Sequence, residues 1–146
     1  MQKIPPVAPV SAKGPLGVAQ LPRLWSKVLL DKKGLLPEGY SACGQGFDRV
    51  VLEGLGLERE RVLAFLDGMP TYAAFEAWVR AELGGTVPQD AIDKVNDYIL
   101  GREFPEERKR QILQGAGFSG EEPITLAAHL NQVDDWSEFH RYLTQD

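Results

Sequence analysis

Glycine and proline interrupt this chain at short intervals, and no other feature limits its fold as strongly. Fifteen glycines and ten prolines are spread over 146 residues. A helix interior loses about 1 kcal/mol at glycine and about 3 kcal/mol at proline, so any helix here must fit between breakers. Between them the apolar residues recur at helical spacing. Leu21, Leu24, Trp25, Val28 and Leu29 form one stripe, which predicts a helix over about 20–33. Pro22 suits its first turn, Lys32 and Lys33 its C-terminal end, and Gly34 its cap.

The same reading continues down the chain. A short helix is predicted from Phe47, carrying Val50, Val51 and Leu52 and ended by Gly54 and Gly56. Others run from Glu58 to Leu66, from Tyr72 to Leu83 with Phe75, Trp78 and Val79 inward, and from Pro88 to about Leu100 with Ile92, Val95 and Ile99 inward. Pro105 opens one to about Gln114, with Ile112 and Leu113 inward. Thr125 is expected to cap a segment holding Leu126, Leu130 and Val133. Asp135-Trp136-Ser137-Glu138 has the form of a capping box and predicts a separate last helix with Trp136, Phe139 and Leu143 on one face. No alternating run of β-branched residues is long enough for a strand. The expected fold class is all-α: a compact single domain of seven or eight short helices over 19–146. Residues 1–18, with four prolines, are expected to form an extended proline-rich N-terminal arm.

Composition narrows the partners. The length suits one domain with a core that needs no metal or disulfide. A net charge of −5 argues against nucleic acid, whose non-specific binding needs excess Lys and Arg. No apolar run approaches the roughly eighteen residues of a membrane span, and the first residues are too proline-rich for a signal-peptide core. With a single cysteine, an internal disulfide is excluded and a cytoplasmic location is expected.

The stretch from Leu35 to Asp48 has no helical pattern. It holds three glycines, a proline and the only cysteine, with Leu36, Tyr40 and Phe47 spaced as anchors. An ordered loop is therefore expected from Tyr40 to Asp48, with Asn96 and Arg23 as partners for its backbone.

Leu21-Pro22-Arg23, Leu36-Pro37-Glu38-Gly39-Tyr40 and Gly44-Gln45-Gly46-Phe47-Asp48, together with Asn96 and the Leu113–Gly117 turn, resemble a bacterial family known only as domain of unknown function number 5069. The likeness covers most of the chain after the arm. Ser41 follows the tyrosine, where some relatives carry a histidine. The resemblance supports the fold and the importance of the loop, and it implies no activity, substrate or cofactor.

Each candidate for chemistry has a structural alternative. Cys43 is a nucleophile if a base or positive field lowers its pKa, and otherwise a small buried hydrophobe. Gly44-Gln45-Gly46 before a helix can cradle an anion, or can simply turn the chain, with Asp48 serving the helix dipole. Asn96 either bonds the loop backbone near Gly44 or contacts a ligand. His129, His140, Asp134 and Asp135 match no zinc spacing, and His140 reads as a core-edge residue. No metal site, cofactor or catalytic residue is assigned. The candidate ligand-binding residues are Arg23, Tyr40, Ser41, Cys43, Gly44, Gln45, Gly46, Asp48 and Asn96. The expected function is a ligand-binding or protein-interaction module with its site at the Tyr40–Asp48 loop. The alternative is a small cofactor-free enzyme acting in a pocket between the first helix, this loop and the Asn96 helix. The expected partners are a small-molecule ligand and a second copy of the chain.

Overall fold

The computed structural model describes residues 2–145. Seven helices run through them: α1 (Leu21–Lys32), α2 (Phe47–Leu55), α3 (Arg59–Leu66), α4 (Tyr72–Glu82), α5 (Gln89–Gly101), α6 (Glu106–Gly115) and α7 (Ala127–Thr144). Among the described residues there is no strand, only an isolated antiparallel bridge between Glu103 and Leu126. The expected all-α domain is what forms. None of these helices is long and apolar enough to cross a membrane. The outer ends of the expected arm and domain, Met1 and Asp146, lie outside the described residues.

The stripe on α1 buries Leu21, Leu24 and Val28 completely or nearly so, and α2, α3 and α4 pack around it. Much of the aromatic content gathers there. Phe65 of α3 stacks on Trp78 of α4 with ring centres 4.9 Å apart, and Trp25 of α1 meets Tyr72 of α4 edge-on at 5.7 Å. The Trp25 indole N–H donates to Pro70 O at 3.0 Å, so the ring's polar edge is not stranded. Thr71 caps α4 by accepting from Ala74 N at 3.1 Å. On the other side α5 packs on α2 and α7, and α6 packs on α7. A second, smaller core of Leu113, Leu130 and Val133 lies between α6 and α7.

Several boundaries differ from expectation. Gly54 does not end α2; it lies inside the helix, and Gly56 at φ 80° caps it. A Cβ at Gly54 would overlap Val95 Cγ2 of α5, so glycine is there for close helix packing. Thr125 does not cap α7, whose N-cap position is Leu126. Asp135 begins no new helix, because α7 runs unbroken over 18 residues. Its carboxylate is held by distant partners instead of by its own backbone. Trp136, Phe139 and Leu143 do share a face, and that face is exposed. His140 is exposed rather than at the core edge.

The arm lies along the domain. Ile4 N donates to Leu35 O at 2.7 Å, and Gln20 N to Val10 O at 2.9 Å. Val10, Leu16 and Val18 belong to the main core. Leu16 N donates to Glu76 Oε1 at 2.8 Å. Asn96 holds the end of the arm, accepting from Ala19 N at 2.8 Å and donating to Gly17 O at 2.7 Å. It does not bond the loop near Gly44, as the sequence suggested. Gly17, with φ 85°, and Ala19, in a turn, have no ladder partners, so an amide side chain satisfies them.

Candidate functional site

The loop from Tyr40 to Asp48 is tied down at both ends by carboxylates. At its start the Tyr40 hydroxyl donates to Asp135 Oδ1 of α7 at 2.7 Å. Arg23 of α1 grips the same carboxylate with both Nη atoms, at 2.6 and 2.9 Å. Burial and the Asp135 hydrogen bond hold the Tyr40 proton well above the usual phenol range. At the loop's end Asp48, 2% exposed, accepts from Lys27 Nζ at 2.5 Å, Cys43 N at 3.1 Å and Gln20 Nε2 at 2.8 Å. A buried carboxylate persists only when charge and hydrogen bonds compensate its desolvation, and both are supplied here.

Cys43 occupies the middle of the loop. It is fully buried, and its backbone is left-handed at φ 60°. The expected freedom of Gly44 and Gly46 is not used in that way, since neither has a positive φ. Burial, and then the negative charge of Asp48, push the Cys43 thiol up to about 11. A neutral, buried thiol is the reverse of an activated nucleophile.

Gln20 stands at the N-cap of α1 with φ 71°, a left-handed conformation that costs a non-glycine residue roughly 1 kcal/mol or more. It is 2% exposed. Its Nε2 must face Asp48, because turning the amide would set oxygen against carboxylate. Its Oε1 is then left buried, with no hydrogen-bond partner among the described residues.

Gln20 borders a cleft of about 450 Å³. One wall is α1 and the loop, with Arg23, Lys27, Tyr40, Ser41, Gln45, Gly46 and Phe47. The other wall comes from α5, α6 and α7 and their connections, with Tyr98, Arg102, Phe104, Arg108, Asn131, Asp134 and Glu138. The cleft therefore lies between the parts of the molecule built on the main core and on the smaller one. Pairing of Phe104 N with Thr125 O and of Ala127 N with Arg102 O fixes the α5–α6 connection against the start of α7. That connection carries Arg102 and Phe104.

Of the residues singled out in the sequence, Arg23, Tyr40, Ser41, Gln45 and Gly46 line this cleft. Gly44, with Gln45, borders a second, smaller depression beside Arg49 and Arg59. Cys43 and Asp48 lie buried within and beneath the loop, and Asn96 serves the arm. Gln20, Lys27, Arg102, Arg108 and Glu138 were missed, and Asp134, weighed only as a metal ligand, lines the cleft. Gln20 reads as the first residue of a helix, while Arg102 lies in the α5–α6 connection and Arg108 in α6, both far along the chain. The only sequence signal was a polar face on α1, with Arg23 and Lys27 four residues apart. His129 and His140 are both exposed, and no group of three or more His, Cys, Asp or Glu side chains fit to hold a metal comes together among the described residues. No protein-family model matches the chain, and no curated protein is significantly similar to it.

Proposed function

We propose that this protein is a binding module that holds a small polar molecule in the cleft between α1, the Tyr40–Asp48 loop and the α5–α7 wall. One observation carries the reading: Gln20 keeps an unpartnered buried oxygen on left-handed backbone at the cleft wall. Both features cost stability, of order 1–3 kcal/mol each. A residue that destabilises the fold beside a cavity fits a site whose bound molecule donates to that oxygen. The groups most able to do chemistry are otherwise engaged: Tyr40 retains its proton against Asp135, and the Cys43 thiol is buried and neutral. The net charge of −5 disfavours nucleic acid, and one cysteine fits a reducing cytoplasm.

Gln20→Gly tests this. Glycine accepts the left-handed backbone and removes the orphaned oxygen, at the loss of one hydrogen bond to Asp48. The variant should unfold in urea within about 1 kcal/mol of the parent. In spectra of the 15N-labelled parent, a library of small polar molecules should yield ligands that shift the amides of the loop and of Arg102–Phe104. The variant should lose them. A library that shifts no cleft amide sinks the reading, as does a variant that binds unchanged.

A second reading, a small cofactor-free enzyme, is favoured by the two carboxylates of Asp134 and Glu138 on the cleft wall. Surrounding protein, then Glu138 and Asp135, hold the Asp134 carboxyl above its ordinary range, which suits a general acid. Conversion of a bound molecule that stops in Asp134→Asn would establish that reading; a bound molecule unchanged after long incubation would remove it.

A further inference from the structure

Arg102 and Arg108 are the cleft's uncommitted cations. Arg23 and Lys27 are spent on Asp135 and Asp48, whereas neither Arg102 nor Arg108 forms an ion pair among the described residues. Each is nonetheless held against an aromatic face. The Arg102 guanidinium lies 5.7 Å from the Tyr98 ring centre and that of Arg108 lies 3.9 Å from the Phe104 ring centre. A guanidinium held over a ring by this attraction keeps N–H groups for other partners. Its N–H fork matches the oxygens of a carboxylate or phosphate. Gln20, whose buried orphaned oxygen needs a donor, borders the same cleft, as do the acids Asp134 and Glu138, which repel a bare anion. Glu138 is partly answered by Arg141 at 2.7 Å; Asp134 forms no ion pair among the described residues, with Arg108 and Arg23 acting on it only as nearby charges.

We propose that the cleft takes a small oxyanion whose carbon skeleton also carries O–H or N–H donors, with the oxyanion on Arg102 and Arg108 and a donor on Gln20 Oε1. This rests on the cleft being a binding site. An anion alone would satisfy the arginines and leave the acceptors unmet. A neutral polyol would do the opposite. Only a molecule with both groups answers both walls.

Titration of the 15N-labelled protein with glycerol 3-phosphate, glycerate, inorganic phosphate and glycerol separates the parts. Glycerol 3-phosphate or glycerate should shift the cleft amides and bind at least about tenfold more tightly than either phosphate or glycerol. The better of the two identifies phosphate or carboxylate as the preferred head. Arg102→Gln with Arg108→Gln should cost that ligand about tenfold or more. Both side chains are exposed, so the fold is retained, as an unchanged circular dichroism melt checks. Glycerol binding as tightly as its phosphate, with the double variant unaffected, overturns the oxyanion and leaves the cleft as a site for neutral molecules. Phosphate binding as tightly as glycerol 3-phosphate overturns the donor requirement. Silence from all four overturns the ligand class, while the cleft itself stands or falls by the wider library.

Discussion

Cys43 carries its environment in its titration. Its thiol is held neutral to about pH 11 by burial and by Asp48, whereas an unfolded cysteine ionises near pH 8.5. The folded state therefore binds the proton more tightly than the unfolded state. Its contribution to stability is fully present below about pH 8.5 and is lost as pH rises towards 11. Urea unfolding should show stability falling by about 1–2 kcal/mol between pH 8 and pH 10, and Cys43→Ala should flatten that slope. A thiol reagent at neutral pH should label Cys43 only as fast as the protein opens. Immediate labelling, or a slope unchanged in the alanine variant, would show that the thiol is not buried as described. The residue also illustrates what a sequence hides. Cysteine beside three glycines drew attention as a nucleophile, yet the groups that line the cleft are ordinary polar residues. Gln20 gave no sign of its left-handed backbone, because nothing local demands it; Asp48, 28 residues away, orients its amide.

Elements were legible where one face of a helix meets one core. The stripe on α5 appears as read, because periodicity records burial directly; on α1 Leu21, Leu24 and Val28 are buried and Trp25 and Leu29 half-buried, while Arg23, Ser26 and Lys27 are buried by their partners as well. Misreadings fell where a residue answers to something distant. Asp135 looked like a cap because caps are local, but its oxygens serve Arg23 and Tyr40, so α7 continues through it. Gly54 looked like a terminator for the same reason, although what it records is the approach of α2 to α5. That approach can be tested. Alanine should favour the helix by about 1 kcal/mol, but its Cβ would overlap Val95, a stiff β-branched side chain that is 2% exposed. Overpacking of this kind costs about 1–3 kcal/mol, so Gly54→Ala should be net destabilising in thermal melts. Val95→Ala should cost clearly less in the Gly54→Ala background than in the parent, because it also relieves the overlap. Strict additivity of the two would mean that the helices do not meet there. The far wall of the cleft was illegible for a related reason: Arg102 and Arg108 become neighbours of α1 only through the packing of α5, α6 and α7.

At the scale of the whole molecule the arm is bonded to its own domain. In the sequence, a proline-rich arm with apolar residues and no partner in its own segment reads first as a mobile tail or a strap lying on the domain, with exchange to a second copy as the alternative. In the structure its partners are on its own chain. Ile4 bonds Leu35, Lys3 Nζ donates to Gly34 O at 2.8 Å, and Arg23 donates to Ala8 O at 3.1 Å while also holding Asp135. The arm thus straps the end of α1 and one side of the cleft. Trp136, Phe139 and Leu143 form an exposed apolar face on α7, and the arm reaches the same helix, where Gln2 Nε2 donates to Tyr142 O at 2.5 Å. Deleting residues 1–9 removes the hydrogen bonds of Ile4, Lys3 and Ala8 together with those of Gln2 Nε2 to Tyr142 O and Ala12 N to Pro9 O, and should destabilise the domain by roughly 1–3 kcal/mol, a fall in Tm of several degrees. Asn96→Ala, which frees Gly17 and Ala19 at the other end of the strap, should act in the same direction and by a similar amount. Neither change should alter the mass measured by light scattering, whatever that mass is in the parent. A deletion that halves the mass while the domain stays folded would mean that the arm crosses to a second copy, and that its seat on the domain is filled by a neighbour's arm.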